Sequence, residues 1–481
     1  MRTYDRLFIG GEWVASSGTQ VIDVISPHTE QTIGGAPVAT ETDIDHAVRA
    51  ARAAFDDGEW PRLTPSERAD YLKVLATAYS PHIDEMAELI TEEMGSPISY
   101  SKIGQAFPGL MIINTGIKVA AGYPWEETRR GDLADTVVRR TPVGVVAAIV
   151  PWNMPQLGAL TKMVPALLAG CTVVLKPAAE TPVDALRLAE IIDGIGLPKG
   201  VVNIVTGGRD VGEHLIRHLG VDKVSFTGSS DTGRQIASQC ADQLKRVSLE
   251  LGGKSAAIVL DDADIAAMAQ ALRFASFANN GEACVAQTRI LAPSNAYDAI
   301  VDAVANLAAS LVVGDPTDPR TEIGPLVTQR QQQRVEKYIA LGQEEGARVV
   351  VGGNGMPNGL DTGWYVRPTV FADVDSRMRI AQEEIFGPVL TVIPYDDIDD
   401  AVRIANDSRY GLAGTVWTGD VERGMDVARR IRTGSVGINQ YMPDLAAPLG
   451  GFKDSGIGRE GGPEGLDQYV ELQSLLPGVR T

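Results

Sequence analysis

The chain has 481 residues, 44% of them hydrophobic and 22% charged, a composition that excludes a disordered polymer and calls for two or three domains. A net charge of −19 excludes nucleic acid and an anionic membrane surface as partners, since both reward the opposite sign. Cys171, Cys240 and Cys284 make no disulfide framework, Met1 to Trp13 holds no signal-peptide core, and the apolar run Val143 to Val150 is too short for a membrane span, so a reducing, cytoplasmic setting is expected.

In chain order, residues 7–14 and 21–25 alternate apolar and polar around Gly10-Gly11 and predict a short N-terminal hairpin. Alanines and Val48 recur at helical spacing from Thr42 to Phe55, with Thr42 or Asp43 placed to cap. Further helices are predicted from Pro65 towards Tyr79 and from Ile83 to Met94, the latter stopped by Gly95 and Pro97. Residues 123–142 interrupt this pattern: a charged stretch around Gly131-Asp132 fits a protruding hairpin. Apolar runs at 143–150, 172–175, 201–205 and 223–226 then alternate with helical stretches at 156–169, 182–194, 209–219 and 231–243. That alternation is the signature of a parallel sheet covered on both faces, hence an α/β fold. The second half repeats it, with strands at 256–260, 288–291, 349–351 and 389–393 and helices at 263–278, 295–310 and 328–345. Val416-Trp417 and Ser435 to Ile438 are further strand candidates, and the tail from Gly461 to Leu476 could pair with another strand or subunit.

Chemistry concentrates between Glu250 and Cys284. Glu250 precedes the flexible Gly252-Gly253 turn and is a candidate base; alone it also fits a surface carboxylate at a strand end. Cys284 closes the polar loop Asn279-Asn280-Gly281-Glu282-Ala283 and has the setting a reactive thiolate needs, whereas Cys171 and Cys240 sit in a strand and a helix and read as packing. Pro151 and Pro155 stiffen the turn that carries Asn153, whose amide could serve a developing oxyanion or merely bond its own turn. Lys176 ends a buried strand, where open α/β sheets bind ligands, and could reach ribose hydroxyls or simply face solvent. The run Phe226-Thr227-Gly228-Ser229 leads a strand into a helix start at about Asp231, suited to a pyrophosphate yet equally an ordinary strand-to-helix turn. His214 and His218 have metal-compatible spacing without a third ligand nearby in sequence, so a solvated helix face is expected and no metal.

Taken together these segments resemble the aldehyde dehydrogenase superfamily along essentially the whole chain. The resemblance rests on Pro151-Trp-Asn-Met-Pro155, Lys176-Pro-Ala-Ala-Glu-Thr181, Phe226-Thr-Gly-Ser229, Glu250-Leu-Gly-Gly-Lys254 and Gly281-Glu-Ala-Cys284. It continues through Glu383-Glu384-Ile-Phe386-Gly-Pro388 and Pro448-Leu-Gly-Gly451-Phe-Lys-Asp-Ser-Gly456. The resemblance implies Cys284 as nucleophile, Asn153 with the Cys284 amide as oxyanion donors, Glu250 as the base that hydrolyses a thioester, and Lys162 in support. It also implies an NAD site with Lys176 and Glu384 on the two riboses, Ser229 and its helix start on the pyrophosphate, and Phe386 on the nicotinamide side. Ala179, Gly208, Phe226, Gly228, Gly233 and Leu251 would complete that site.

By the same resemblance, 1–122 with 143–252 would bind the cofactor, 253–454 would form the catalytic domain, and 123–142 with 455–481 would be an oligomerisation module of a homodimer or homotetramer. Two departures stand out. Ala179 occupies a position where NAD-preferring relatives carry glutamate, so NADP is possible, although no Arg or Lys adjoins it in sequence. Gly158, Thr161 and Leu449 replace bulkier residues, and with Ala283 and Val285 they predict a wide, aliphatic aldehyde pocket. Glu250 argues against a CoA-acylating relative, which needs no water-activating base. A non-catalytic scaffold would need none of Cys284, Glu250 and Asn153.

Overall fold

The computed structural model describes residues 2–132 and 134–476. Met1, Leu133 and residues 477–481, the last two belonging to the expected oligomerisation module, lie outside the described residues. In chain order the first large sheet takes β1 (Arg6–Ile9), β2 (Glu12–Ala15), β3 (Val145–Ile149), β4 (Thr172–Lys176), β5 (Val202–Ile204), β6 (Lys223–Thr227) and β7 (Arg246–Glu250). The second takes β8 (Ser255–Val259), β9 (Gln287–Pro293), β10 (Arg348–Val351), β11 (Thr369–Ala372), β12 (Val389–Tyr395), β13 (Gly414–Trp417) and β14 (Gly437–Ile438). A returning strand, β15 (Gly456–Ile457), adds an antiparallel edge to the first sheet beside β7.

The first sheet runs β15-β7-β6-β3-β4-β5-β1-β2, its five central strands parallel. The chain steps outward from β3 through β4 to β5, then returns to the other side of β3 for β6 and β7. The order therefore reverses between β3 and β6, which opens a crevice beyond their carboxyl ends. The second sheet runs β10-β11-β12-β9-β8-β13-β14 and is parallel except at β10.

Period-two alternation explains how β3 serves two cores. Val145, Ala147 and Ile149 pack on one face with Ile44, Ala47 and Val48 of helix α1 (Glu41–Asp56). Val146 and Ala148 pack on the other with residues of α2 (Phe107–Gly122) and α3 (Pro155–Ala169). Thr40, not Thr42 or Asp43, caps α1; Asp43 reciprocates as the third residue of a capping box. Helix α2 has no sequence prediction behind it, because Gly109 and Gly116 dilute its pattern. Those glycines serve close packing on α3: a Cβ at Gly116 would stand 2.6 Å from Val164, and one at Gly109 2.8 Å from Leu160. A six-residue π-helical stretch, Ser101–Ala106, precedes it.

The hairpin expected at 123–142 is present as Glu126–Arg129 paired with Thr136–Pro142, and the tail strand Val470–Leu475 adds to it within the same chain. Helix α4 (Ser230–Ala241) follows β6, and α5 (Gln329–Glu344) lies in the second half, close to its predicted span. No helix among the described residues is long and apolar enough to cross a membrane.

Candidate active site

Strand register sets the first group of residues. Ile149 pairs with Lys176 and Phe226, and Thr227 pairs with Glu250, so four strands end at one level. Beyond them lies a cleft of about 1050 Å³ lined by Trp152, Asn153, Gly228, Ser229, Cys284 and Phe386, among others. Ser229 caps α4, which begins at Ser230, by accepting a bond from the Thr232 amide. Gly228 is required by space, since a Cβ there would stand 2.4 Å from the Phe226 ring. Gly233 likewise lets α4 rest on Leu251, with a Cβ distance of 2.6 Å.

Cys284 reaches this cleft on a strained loop. Asn279, Asn280 and Gly281 are consecutive left-handed residues, with φ of 55°, 60° and 73°. Side chains hold that shape. Asn280 donates to the carbonyls of Gly95 at 3.0 Å and Pro325 at 2.9 Å and accepts from the Gly324 amide at 2.7 Å. Asn279 donates to the Asn153 carbonyl at 2.8 Å and accepts from Gln105 at 3.1 Å. The Asn153 side-chain amide donates to the Glu282 carbonyl at 2.9 Å, which docks it against the cysteine loop. Burial pushes the Cys284 thiol up to about 12, with the Glu384 and Glu250 carboxylates adding to the rise and its own backbone N–H opposing it. Burial raises the phenols of Tyr100 and Tyr441, with a further push from Cys284. Neither tyrosine lies in a motif, so sequence reading passed over both.

Glu250 is buried, 8% exposed, and its Oε1 has no hydrogen-bond partner among the described residues. Burial and the neighbouring Glu460 carboxylate raise it well above the usual carboxylate range, against the pull of Lys162 and Arg459. The surface-carboxylate reading therefore fails. Gly450 backs the carboxylate closely, a Cβ there standing 2.7 Å from Oε1. Lys162 bonds Glu460 at 2.5 Å and the Thr227 hydroxyl at 2.7 Å, and the charges of both Lys162 and Glu460 reach Glu250. Glu460 was invisible in the sequence, because only the bridge pairing it with Leu449 brings it inward.

A second, apolar recess of about 70 Å³ lies between α2 and α3, lined by Ile112, Gly116, Thr161, Val164, Leu449 and Glu460, among others. Thr161 and Leu449 both line it, though a recess of this size is narrower than the wide pocket expected. Gly158 does not line it; its Cα faces Pro151 and Val150, where a Cβ would stand 3.3 Å from the proline ring. Ala283 is buried and Val285 half-buried beside the sulfur, and neither lines the recess.

The residues expected around a dinucleotide fit one. Lys176 is buried, its Nζ bonds only the Pro177 carbonyl, at 3.0 Å, among the described residues, and burial lowers its ammonium to about 8. Gly212 lies against its stem, and Gly208 starts the same helix without a side-chain cap, leaving its amides for a ligand. Glu384 is held by the Gly253 amide at 2.9 Å, and the Phe386 ring stands edge-on to Trp152 at 5.4 Å. Ala179 leaves the expected carboxylate missing. Across the cleft, however, Arg330 pairs with adjacent Glu180 at 3.2 Å, a cation the sequence did not place there.

The histidine pair is not a solvated face: Asp45 of α1 lies 2.8 Å from His214 and 3.5 Å from His218. The Gly220 amide donates to His218 Nδ1, which leaves Nε2 carrying the proton towards Asp45. Among the described residues no group of three His, Cys, Asp or Glu side chains is arranged to hold a metal.

A parallel-sheet crevice at a chain reversal, with a thiol on its wall, defines a ligand-binding α/β architecture. The sequence profile described as "Aldehyde dehydrogenase family" matches residues 13–475, and the chain belongs to that family as an NAD(P)-dependent aldehyde dehydrogenase. It is 46% identical over 473 residues to geranial dehydrogenase of Castellaniella defragrans, covering 98% of each chain. A Mycobacterium tuberculosis aldehyde dehydrogenase complexed with NAD+ superposes with a TM-score of 0.98 at 50% identity, with 99% of each chain covered. A Pseudomonas syringae aldehyde dehydrogenase variant complexed with NAD+ and octanal gives 0.95 at 40% identity, covering 98% of this chain and 97% of that one.

Proposed function

We propose that this enzyme oxidises a hydrophobic aldehyde to its carboxylic acid through a covalent intermediate on Cys284. The observation that carries the reading is that Cys284 and Asn153, from separate segments, line one cleft, with Glu250 near enough for its charge to act on the thiol. The Cys284 sulfur adds to the aldehyde carbon, its proton passing to solvent, directly or by way of Glu250, which gives it up again, and a thiohemiacetal forms. The carbonyl oxygen, gaining charge, is held by the Asn153 side-chain amide and the Cys284 backbone N–H. When bound, NAD supplies a cationic nicotinamide that accepts the hydride, leaving a thioester on Cys284. Lys176, Ser229, Glu384 and Phe386 would hold it, with Gly208, Gly228, Gly233 and Leu251 shaping the cradle. Glu250 then takes a proton from water, the resulting hydroxide adds to the thioester carbon, and the C–S bond breaks to release the acid. Lys162 and Glu460 set the charge around the Glu250 carboxylate, the lysine favouring its ionised form and Glu460 opposing it.

The apolar lining of the recess at Thr161 and Leu449 supports a hydrocarbon substrate, in keeping with the geranial and octanal named for two relatives. We assign 1–122 with 143–252 to cofactor binding, 253–454 to catalysis, and 123–142 with 455–481 to assembly of a cytoplasmic homodimer or homotetramer. Arg330 beside Glu180 supports NADP as a secondary cofactor. A panel of acetaldehyde, octanal, terpenoid and aromatic aldehydes, read by reduced-nicotinamide absorbance, tests the substrate reading. Thr161→Trp is expected to cut kcat/KM for the larger aldehydes about tenfold or more and to spare acetaldehyde. A parent enzyme far better on acetaldehyde than on the rest would refute it.

A further inference from the structure

We propose that Asp184 keeps a proton that an ordinary aspartate has lost and donates it to the side-chain carbonyl of Gln156, a neutral acid–amide pair that positions the turn bearing Asn153. Gln156 lies in the first turn of α3, just beyond Asn153, and Asp184 in the first turn of the helix Val183–Asp193. Both side chains are fully buried. The Gln156 amide donates to Asp184 Oδ2 at 3.1 Å and to the Asp184 carbonyl at 3.3 Å. Those two acceptors fix which end of the amide is nitrogen. Gln156 Oε1 and Asp184 Oδ1 are then both left without a partner among the described residues. Two acceptors cannot satisfy each other, but a proton on Oδ1 turns one of them into a donor for the other.

The surroundings decide which carboxyl takes the proton. Glu93, from the helix Ile83–Met94, accepts the Val183 amide at 2.8 Å on one oxygen and the Asp184 amide at 3.0 Å on the other. It thereby caps the helix that carries Asp184, where negative charge is favoured. A proton on Glu93 would cost one of those bonds, whereas a proton on Asp184 Oδ1 leaves the Gln156 bond intact. Two charged carboxyls in one buried site repel, so a single proton between them belongs to Asp184. Glu92 adds negative charge on the Glu93 side. Tyr79 faces Asp184 from the helix Pro65–Tyr79, its own proton committed to the Ala106 carbonyl at 3.0 Å. Among the described residues no Lys, Arg or His pairs with either carboxyl. Burial pushes Asp184 up to about 7, against the N–H groups of Ala185 and Gln156, and burial with the Asp184 charge raises Glu93. Gly95, just past Glu93, accepts from Asn280, so the network reaches both the Asn153 turn and the cysteine loop.

Linkage gives the sign. A carboxyl raised in the fold stabilises fully below its unfolded value of about 4 and loses that contribution as pH climbs to about 7, with no further loss above. Denaturant midpoints and kcat with octanal are measured from pH 5 to 9 on the full-length enzyme, Asp184→Asn and Glu93→Gln. Asparagine cannot ionise, yet it still accepts from and donates to Gln156. Its midpoint should lie near the parent's at pH 5 and lead it increasingly up to about pH 7, the lead then holding level. Glu93→Gln should be less stable than the parent at every pH, because its NH₂ meets a backbone N–H. The ratio of parent to Asp184→Asn kcat, in which the titration of Glu250 cancels, should drop about threefold between pH 6 and pH 8.5 as the turn loosens. A parent more stable than Asp184→Asn, by a margin growing with pH, means an ionised Asp184 and overturns the proposal. So does a Glu93→Gln that tracks the parent while Asp184→Asn fails, since the proton then sits on Glu93. The positioning role rests on the reading of Asn153 as oxyanion donor, and Asn153→Ala separates the two. A flat kcat ratio with Asn153→Ala slowed about a hundredfold removes the positioning role alone; Asn153→Ala turning over like the parent removes both.

Discussion

Lys176, Phe226 and Glu250 stand at or beside the carboxyl ends of neighbouring parallel strands, whereas Cys284, Glu384 and Phe386 ride on irregular loops of the second half. The first set is placed by hydrogen-bond register: once β3 pairs with β4 and β6, and β6 with β7, those side chains share one level without further help. The second set is placed by side chains that bond loop carbonyls, among them Asn279, Asn280, Gln331 and Arg334. A ladder is locked by the cooperativity of the whole sheet, while a left-handed loop needs a dedicated partner for nearly every exposed carbonyl. Strand-end residues should therefore tolerate changes around them, and loop-borne residues should be sensitive to neighbours that never meet the substrate.

The comparison can be broken at its chemical ends first. Cys284→Ala is expected to lower turnover about 10⁴-fold or more with NAD binding retained, measured by reduced-nicotinamide absorbance; near-normal turnover would remove the sulfur from the mechanism. Glu250→Gln should cost about 10³-fold in steady state while keeping a first-turnover burst, because the thioester forms and then waits. Rapid quenching and intact mass would reveal the acylated protein, and a missing burst would move Glu250 to an earlier step.

Placement is sharpened by Asn280→Ala, which strips three bonds from the cysteine loop and should destabilise the protein by about 3 kcal/mol in denaturant unfolding. An unchanged midpoint would mean the loop holds itself. The thiol offers a quieter test. With its titration pushed up to about 12, the cofactor-free protein should react with iodoacetamide very slowly at neutral pH, the rate climbing steadily with pH up to about 10. A plateau near pH 8 would show that neither burial nor the carboxylates hold the thiol up.

The smallest effect concerns Glu250. Its carboxyl is raised, so the base is lost at a higher pH than an ordinary carboxylate as the solution is acidified. Glu460→Gln removes the like charge and releases Lys162, so the acid limb of kcat should move to lower pH. An unmoved limb would detach Glu460 from the base.

Much of the molecule is legible in one dimension. The α/β alternation, most parallel strands and the Cys284, Glu250 and Asn153 motifs follow from local composition, because burial on both faces demands continuous apolar runs and tight turns demand glycine and proline. Helix α2 escaped because its glycines answer to α3, not to its own periodicity. Glu460, Arg330 beside Glu180, and the grip of Gln331 and Arg334 on the Phe386 loop were settled only by chain return. Charge neighbours and carbonyl donors are properties of distance through space, and residues far apart in a chain carry no local trace of whom they will meet.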